Sequence, residues 1–278
     1  MNPLPHPVRR IVSQSLAAVL LCASASLLSA QTVWNGLQSY YSFADGTGTT
    51  LTDAVNGADG TLVNFTGSPW STISGPLGGA LAFDGSNDYV QVLNPLAPLG
   101  DSPRTLAGWV YSSNGGDNQA FVTYGQRNPN ELNALTSYYG AKYFFAGHAH
   151  DVNTGISVPA GQWVYLAETF DGATLQIYLN GTPYVTASSF ILNTSANTSG
   201  LLFGAHVQTS GDASYMFFLN GALEGWGIWD RALDASEISQ LYNDGNGLAY
   251  SDVPEPATCT VIGGLLAFGL ACWQARRR

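Results

Sequence analysis

Oxygen-bearing side chains are concentrated in one short segment of the sequence, Asp84-Gly85-Ser86-Asn87-Asp88. Calcium prefers carboxylate, amide and carbonyl oxygens of the kind that loops supply. We therefore predict a structural calcium ion held by Asp84, Asn87 and Asp88, with Asp45 as a more distant ligand. The alternative is that these aspartate and asparagine side chains only cap their own turns.

Aromatic, imidazole and carboxylate side chains occur together between residues 138 and 151. Sugar rings stack on aromatic side chains through apolar contact, while polar groups at the rim hold their hydroxyls. We predict that this segment contacts a glycan, through Tyr138, Tyr139, Tyr143, His148, His150 and Asp151. Trp70 and Phe144 are further candidate aromatics. For each ring the alternative is packing in the core.

The two histidines are separated by one residue, in His148-Ala149-His150. In an extended strand this spacing places both imidazoles on one side, as a pair of metal ligands requires. A zinc site needs three or four convergent groups, and no third ligand is identifiable. The alternative is an exposed strand end or loop.

Catalytic carboxylates are not apparent. A retaining glycosidase needs two carboxyl groups about 5 Å apart, which on a strand means acidic residues at i and i+2 or i+4. Glu168 and Glu224 instead occur singly in predicted strands. The three cysteines, Cys22, Cys259 and Cys272, lie near the two ends, so the central region has no thiol for catalysis or for zinc. We predict no catalytic residue.

The central region is strongly acidic. Residues 31–252 contain 4 basic and 18 acidic side chains, which gives a formal charge of −14. Affinity for nucleic acids comes mostly from Lys and Arg side chains that displace counterions from phosphates. Nucleic acid is therefore excluded as a partner, and the length of the region suits one sandwich-sized domain.

The elements that position these residues are predicted to be strands, because short alternating runs are separated by glycine, asparagine and aspartate. Asp171-Gly172 and Asn180-Gly181 favour tight hairpin turns, which predicts a three-stranded meander over residues 163–185. Further strands are predicted at Leu37 to Phe43, Ala80 to Phe83, Tyr89 to Val92, Thr105 to Tyr111, Ala120 to Tyr124, Lys142 to Gly147, Leu201 to Gly204 and Leu223 to Trp229. One helix is predicted from Ala235 to Tyr242, with Asp234 and Glu237 as a capping box. The sequence thus predicts an all-β fold of two packed antiparallel sheets with one short C-terminal helix.

Both ends of the chain have the composition of targeting segments. Arg9 and Arg10 precede an apolar run and small residues, which indicates a secretory signal peptide cleaved after Ala25 or Ala30. At the other end, a glutamate flanked by two prolines is followed by an apolar stretch over residues 261–273 and then by a cluster of arginines. The residues of this sorting signal are Pro254, Glu255, Pro256, Arg276, Arg277 and Arg278. The predicted organisation is a signal peptide (1–30), a β-domain (31–245), a linker (246–252) and a sorting tail (253–278).

Several stretches resemble the LamG-like jelly-roll domain of the concanavalin A-like lectin/glucanase superfamily. They are Leu37 to Asn64, Gly78 to Val92, Arg104 to Ser112 with Trp109 as the core tryptophan, Gln162 to Tyr184, and Gly221 to Gly245. They follow one another in the order of the family. The resemblance implies a jelly-roll sandwich, and the superfamily includes glycosidases and lyases as well as binding domains.

The tail is similar to the PEP-CTERM signal of Gram-negative bacteria. The resemblance implies recognition by an exosortase, transient association with the inner membrane and release to the cell surface or extracellular matrix. It also implies a glycan partner, because related systems couple sorting to exopolysaccharide production. We therefore expect an exported, non-catalytic domain that binds carbohydrate. The alternatives are a structural or adhesive matrix protein and, third, a hydrolase or lyase.

Overall fold

The structure is a computed structural model that describes residues 33–70, 73–209 and 214–250. The predicted signal peptide and sorting tail, with their motif residues, lie outside the described residues. The part that forms the β-domain is a compact unit from Val33 to Leu248. Its last residues bond back to the domain, because the N–H of Leu248 donates to the carbonyl oxygen of Leu241 at 3.0 Å.

Short β-strands make up most of this unit. They are β1 (Leu37–Tyr41), β2 (Thr50–Leu51), β3 (Gly60–Val63), β4 (Leu81–Asp84), β5 (Tyr89–Val92), β6 (Arg104–Ser112), β7 (Gln119–Gly125), β8 (Leu132–Tyr138), β9 (Lys142–Ala146), β10 (Val152–Ser157), β11 (Trp163–Phe170), β12 (Leu175–Leu179), β13 (Thr182–Ala187), β14 (Leu201–Phe203), β15 (His206–Val207), β16 (Tyr215–Met216) and β17 (Asn220–Trp229). One helix, α1 (Ala235–Tyr242), follows β17, and a short 3₁₀ turn (Asn243–Gly245) follows α1.

The strands form two antiparallel sheets. Sheet A has the order β1-β17-β6-β11-β12-β13, and β4 also pairs with β17. Sheet B has the order β10-β9-β8-β7-β14-β5-β3-β2, and β15 and β16 form a separate two-stranded ribbon. The predicted fold class, an all-β jelly-roll sandwich with one short helix, is confirmed.

The predictions that depend on local sequence agree closely with the structure. Strands β11, β12 and β13 form the expected meander, and Asn180 (φ 50°) and Gly181 (φ 74°) make its second turn. The helix has its predicted bounds, and Asp234 and Glu237 form both hydrogen bonds of a capping box. These elements were predictable because a few adjacent residues determine a hairpin turn or a helix cap.

Other strands were not predicted, namely β2, β3, β8, β10, β15 and β16. Strand β8 gives no alternating signal, because six of its seven residues are buried. A strand covered on both faces loses the alternation of apolar and polar residues that marks a half-exposed strand. The ribbon strands contain only two residues each, too few for any period to be recognised.

The apolar core lies between the sheets and contains Trp226, which is fully buried. Trp109, the expected core tryptophan, is also buried at 2% exposure. Its neighbours in β6, Leu106 and Val110, belong to the core between the sheets, so Trp109 faces the other side of sheet A. There its ring lies 5.7 Å from that of Tyr242, at the end of α1. The helix thus covers the outer face of sheet A.

A buried arginine joins the sheets at one end of the sandwich. The Nη1 atom of Arg104 in β6 donates to the hydroxyls of Tyr124 (2.9 Å) and Thr194 (2.8 Å). Its Nε and Nη2 atoms donate to the carbonyl oxygens of Ser102 (2.9 Å) and Gly100 (2.7 Å). The side chain is 0% exposed. Arg104 therefore has its hydrogen bonds satisfied inside the protein.

Candidate ligand-binding site

A cavity of about 180 Å³ opens on the outer face of sheet B, the face turned away from sheet A. On β8, Leu135 belongs to the core, while Thr136 and Tyr138 line the cavity. On β9, Phe145 belongs to the core, while Phe144 lines the cavity. Successive residues of a strand point to opposite faces, so the sheet itself positions these side chains.

Four aromatic rings form one wall of the cavity. The ring centroid of Tyr138 lies 4.3 Å from that of Tyr139, 5.5 Å from that of Phe144 and 5.3 Å from that of Phe217. Tyr139 is 63% exposed, so its ring is accessible from solvent. Accessible rings next to polar groups are able to stack against the apolar face of a sugar.

The ribbon of β15 and β16 also lines the cavity, through His206 and Met216. His206 is buried, and its ring lies 5.5 Å from that of Phe217. Its Nδ1 atom donates to the carbonyl oxygen of Val207 at 2.6 Å. Burial lowers the pKa of His206 to about 4, against the opposing hydrogen bond to Val207 and with smaller lowering effects of the charges of Arg127 and His148. The imidazole is therefore neutral at pH 7.

The loop between β9 and β10 contributes His148 and Asp151. One carboxylate oxygen of Asp151 accepts hydrogen bonds from the N–H groups of Gly147 (2.9 Å) and His148 (3.0 Å). The Nδ1 atom of His148 is buried and has no hydrogen-bond partner among residues 33–70, 73–209 and 214–250. Both side chains line the cavity.

Three cavity residues have strained backbones. Tyr139, His148 and Phe217 have φ angles of 51°, 54° and 58°. Side chains other than glycine and asparagine rarely adopt positive φ, because of the steric clash at Cβ. Such strain costs about 1–3 kcal/mol per residue and is found preferentially at functional sites. Phe43, Ala141, Ala149 and Ser189, which do not line this cavity, also have positive φ angles, so the strain is not confined to it.

The structure brings together four of the six predicted ligand residues, Tyr138, Tyr139, His148 and Asp151. The inclusion of Tyr143 was wrong, because this side chain is 2% exposed and lies in the core on the opposite face of β9. The candidate aromatic Trp70 is also buried, and its Nε1 atom donates to the carbonyl oxygen of Gly48.

For the two histidines the structure shows a loop, which was one of the two alternatives left by the sequence. Residues 148–150 form a loop, in which His148 and Ala149 have positive φ angles. His150 instead hydrogen-bonds to the side chain of Asn130 and packs against Phe190, with 6.0 Å between ring centroids. Only His148 of the pair lines the cavity, so the two imidazoles do not form a metal pair.

Further lining residues were not predicted, and they include Arg127, His206, Met216 and Phe217. Arg127 follows β7, and its Nη1 atom donates to the carbonyl oxygen of Gln208 at 2.8 Å. This bond connects the end of β7 to the ribbon. The ribbon itself was not predicted, so there was no reason to place these residues beside Tyr138.

The candidate calcium ligands are engaged with their own loops. Asp84 accepts a hydrogen bond from the N–H of Ser86 at 2.8 Å, and Asp88 accepts one from the N–H of Asp84 at 3.0 Å. The carboxylate of Asp45 faces the N–H of Thr52 in a different loop, at 3.4 Å.

Within the described part of the chain, no group of three or more His, Cys, Asp or Glu side chains is arranged to hold a metal ion. Calcium binding by Asp84, Asn87, Asp88 and Asp45 therefore stays a prediction. Calcium enters no step of the function proposed below. Thermal unfolding with and without added calcium tests the predicted calcium site directly, because a bound ion would raise the unfolding temperature.

The two strand glutamates lie apart from the cavity lining. Glu168 is 0% exposed between the sheets, where the side-chain amide of Asn133 donates to it. Burial raises its pKa to about 7, against smaller opposing effects of Asn133 and Arg104. Glu224 is buried too, and it accepts from the N–H groups of Leu77 (3.0 Å) and Gly79 (2.9 Å). Burial also raises the pKa of Glu224 to about 7. Glu224 therefore holds the loop before β4 in place.

The sheet order, the covering helix and the lateral cavity define a two-sheet sandwich of the jelly-roll class. The chain belongs to the Laminin_G_3 family of the concanavalin A-like lectin/glucanases superfamily, whose family model matches residues 84–239. Residues 252–278 match the PEP-CTERM protein-sorting motif, which indicates export and sorting to the surface. None of the helices in the described residues is long and apolar enough to cross a membrane.

Solved structures share this fold at low sequence identity. Domain 4 of AbnA, a GH43 extracellular arabinanase from Geobacillus stearothermophilus, in complex with arabinotriose, matches with a TM-score of 0.56 and 19% identity, over 73% of this chain and 97% of that chain. The binding domain of Paraclostridial Mosquitocidal Protein 1 matches with a TM-score of 0.57 and 15% identity, over 77% and 53% of the two chains. A mutant of Trypanosoma rangeli sialidase displaying trans-sialidase activity matches with a TM-score of 0.55 and 16% identity, over 77% of this chain and 34% of that chain.

These similarities show the fold, which glycoside hydrolases and binding domains share. No curated protein matches the chain in sequence.

Proposed function

We propose that this chain is an exported carbohydrate-binding protein, which recognises a glycan of the cell envelope or exopolysaccharide matrix without turning it over. The observation that carries the proposal is the exposed ring of Tyr139 in the lining of a cavity that also contains an arginine, two imidazoles and a carboxylate. A sugar would stack on the rings, and the polar groups would hold its hydroxyls.

The position of the acidic residues supports binding without catalysis. Glu168 is enclosed between the sheets and Glu224 is bonded to a loop, so neither faces the cavity. Asp151 is the one carboxylate among the described lining residues of the cavity, and glycoside hydrolysis commonly needs a pair.

Replacing Tyr139 by alanine tests the proposal once a glycan-array screen of the full-length protein has supplied a ligand. We expect at least about a fivefold loss of affinity, because a stacked aromatic ring contributes about 1 kcal/mol or more. The measurement is isothermal titration calorimetry. The matched control is Tyr184→Ala, since Tyr184 is 51% exposed on β13 of the other sheet. Equal affinities of the two variants, or an array without any bound glycan, would contradict the proposal.

A second candidate function is supported by an apolar surface elsewhere. Leu93, Leu96 and Leu99 are 62%, 43% and 44% exposed, and they line a cavity of about 420 Å³. Exposed apolar patches of this kind are typical of contacts with other proteins. A structural or adhesive matrix protein is therefore the alternative, and it is favoured if the array shows no glycan binding.

The sorting step is the other part of the proposed function. We expect that alanine at Pro254, Glu255 and Pro256 leaves the precursor uncut and membrane-associated, because exosortase would no longer recognise the tail. Immunoblots of membrane and extracellular fractions measure this. Thr260→Ala, in the same tail but outside the motif, is the control and should be processed normally. Release of the triple variant at normal size would refute exosortase processing.

A further inference from the structure

Arg127 is the one cation of the described residues that lines the cavity. Arg104 is satisfied inside the core, and Arg231 forms an ion pair with Glu237 at 2.7 Å. Lys142 donates to the hydroxyl of Ser157 at 2.7 Å on the surface. Arg127 is half-buried and forms no ion pair within the described residues. Its Nη1 atom donates to the carbonyl oxygen of Gln208. The Nε and Nη2 atoms of the same guanidinium are further donors.

The imidazoles of His148 and His206 line the same cavity as Arg127. Both Arg127 and His148 contribute to the low pKa of His206, although burial is the larger cause. The charge of the guanidinium thus acts within the cavity. His148 adds a buried Nδ1 atom that has no hydrogen-bond partner among the described residues. The cavity therefore offers a fixed positive charge and a further polar group to a ligand.

Asp151 is the opposing charge in the cavity lining. Its carboxylate accepts two backbone hydrogen bonds from the loop that carries His148, and it is exposed to solvent. Exposed charges are screened by water and salt more effectively than half-buried ones. The charge of the half-buried guanidinium is therefore screened less than that of this carboxylate.

We propose, on the basis of the carbohydrate-binding function above, that the cavity selects glycans whose sugars carry a carboxylate. The guanidinium of Arg127 binds the carboxylate through its planar fork, which matches two carboxylate oxygens. The ring of Tyr139 stacks on the same sugar. Residues 31–252 carry a formal charge of −14, so long-range electrostatic forces repel a polyanionic glycan. Recognition therefore depends on the short-range contacts of the sugar with Arg127 and Tyr139.

The test uses the full-length protein with polygalacturonate and with the same polymer after its carboxyl groups have been reduced to alcohols. We expect the wild type to bind polygalacturonate more tightly than the reduced polymer. Arg127→Gln should weaken binding to polygalacturonate by about 10- to 100-fold, because a hydrogen-bonded ion pair is lost. Binding to the reduced polymer should stay the same.

Two further variants separate a specific role from a change in net charge or stability. Arg127→Lys keeps the charge but loses the fork, so we expect an intermediate affinity. Lys142→Gln removes one positive charge outside the cavity and should bind as the wild type does. Thermal unfolding of each variant verifies that it is folded.

The outcomes are distinguishable. If the wild type binds both polymers equally, or if Arg127→Gln and Lys142→Gln behave alike, the carboxylate preference is refuted and carbohydrate binding stands. If neither these polymers nor any array glycan is bound, both proposals fail. Tighter binding of a sulfated polysaccharide without carboxylates than of polygalacturonate would also overturn the inference. It would show that the cavity prefers a sulfate group to a carboxylate.

Discussion

Replacing Arg104 by alanine is expected to lower the free energy of unfolding by about 3–5 kcal/mol. The guanidinium is fully buried and donates hydrogen bonds to the hydroxyls of Tyr124 and Thr194 and to two backbone carbonyl oxygens. Each buried group that is left without its partner costs about 1–3 kcal/mol. Glu168 would also lose the favourable effect of a nearby cation. Urea unfolding followed by circular dichroism measures the change.

Lys142→Ala is the matched control for this substitution. It also removes a cation, but one that is half-buried on β9 and donates to an exposed hydroxyl. Substitutions at such positions usually change stability by less than about 0.5 kcal/mol. If both variants unfold at the same urea concentration, Arg104 does not connect the two sheets energetically.

Replacing Glu168 by glutamine is expected to stabilise the domain relative to the wild type as the pH rises. The pKa of Glu168 is raised from about 4.5 to about 7 by burial. The stability that this residue contributes is therefore complete below pH 4.5 and is lost as the pH rises through 7. Between pH 5 and pH 8 the wild type should lose about 2–3 kcal/mol relative to Glu168→Gln. Urea unfolding of both proteins across this range gives the difference.

The comparison with glutamine is needed because other groups titrate in the same range. The pKa of Glu224 is also raised, so its contribution to stability is lost as the pH rises, like that of Glu168. Glu224→Gln should therefore show the same trend. His206 affects stability in the opposite direction. Its pKa is lowered to about 4, so its contribution to the free energy of unfolding is lost as the pH falls. Ile177→Val is the control, since Ile177 is paired with Glu168 across the sheet and does not titrate. A difference between Glu168→Gln and wild type that stays constant with pH would show that Glu168 ionises normally.

The parts of the fold that were predictable are those encoded by neighbouring residues. The capping box of Asp234 and Glu237 gave the bounds of α1, and the Asn180-Gly181 turn gave the pairing of β12 with β13. Strand β8 and the ribbon were missed, because burial on both faces and very short length each remove the alternation on which the prediction depends.

The candidate site was predictable only in the segment where its residues are adjacent in sequence. Tyr138, Tyr139, His148 and Asp151 come from one hairpin and its loop, so composition alone indicated them. The prediction that Tyr143 contacts the ligand was wrong, because a shift of one residue along β9 moves a side chain from the outer face to the core. Residues such as Arg127 and Phe217 could not be found, since only the fold brings β7 and the ribbon to the face of β8.

The place of β17 between β1 and β6 in sheet A has a consequence for how the molecule is made. This strand pairs with β1 and β4 along one edge and with β6 along the other, yet it comes from residues near the end of the domain. A chain synthesised only as far as β16 lacks the strand that joins the earlier pieces of that sheet. Such non-local pairing slows folding, because distant segments must meet before any contact is gained. The domain therefore completes its folding late, after nearly all of it has been synthesised, and a truncation before residue 220 leaves β1 and β4 without a partner in sheet A.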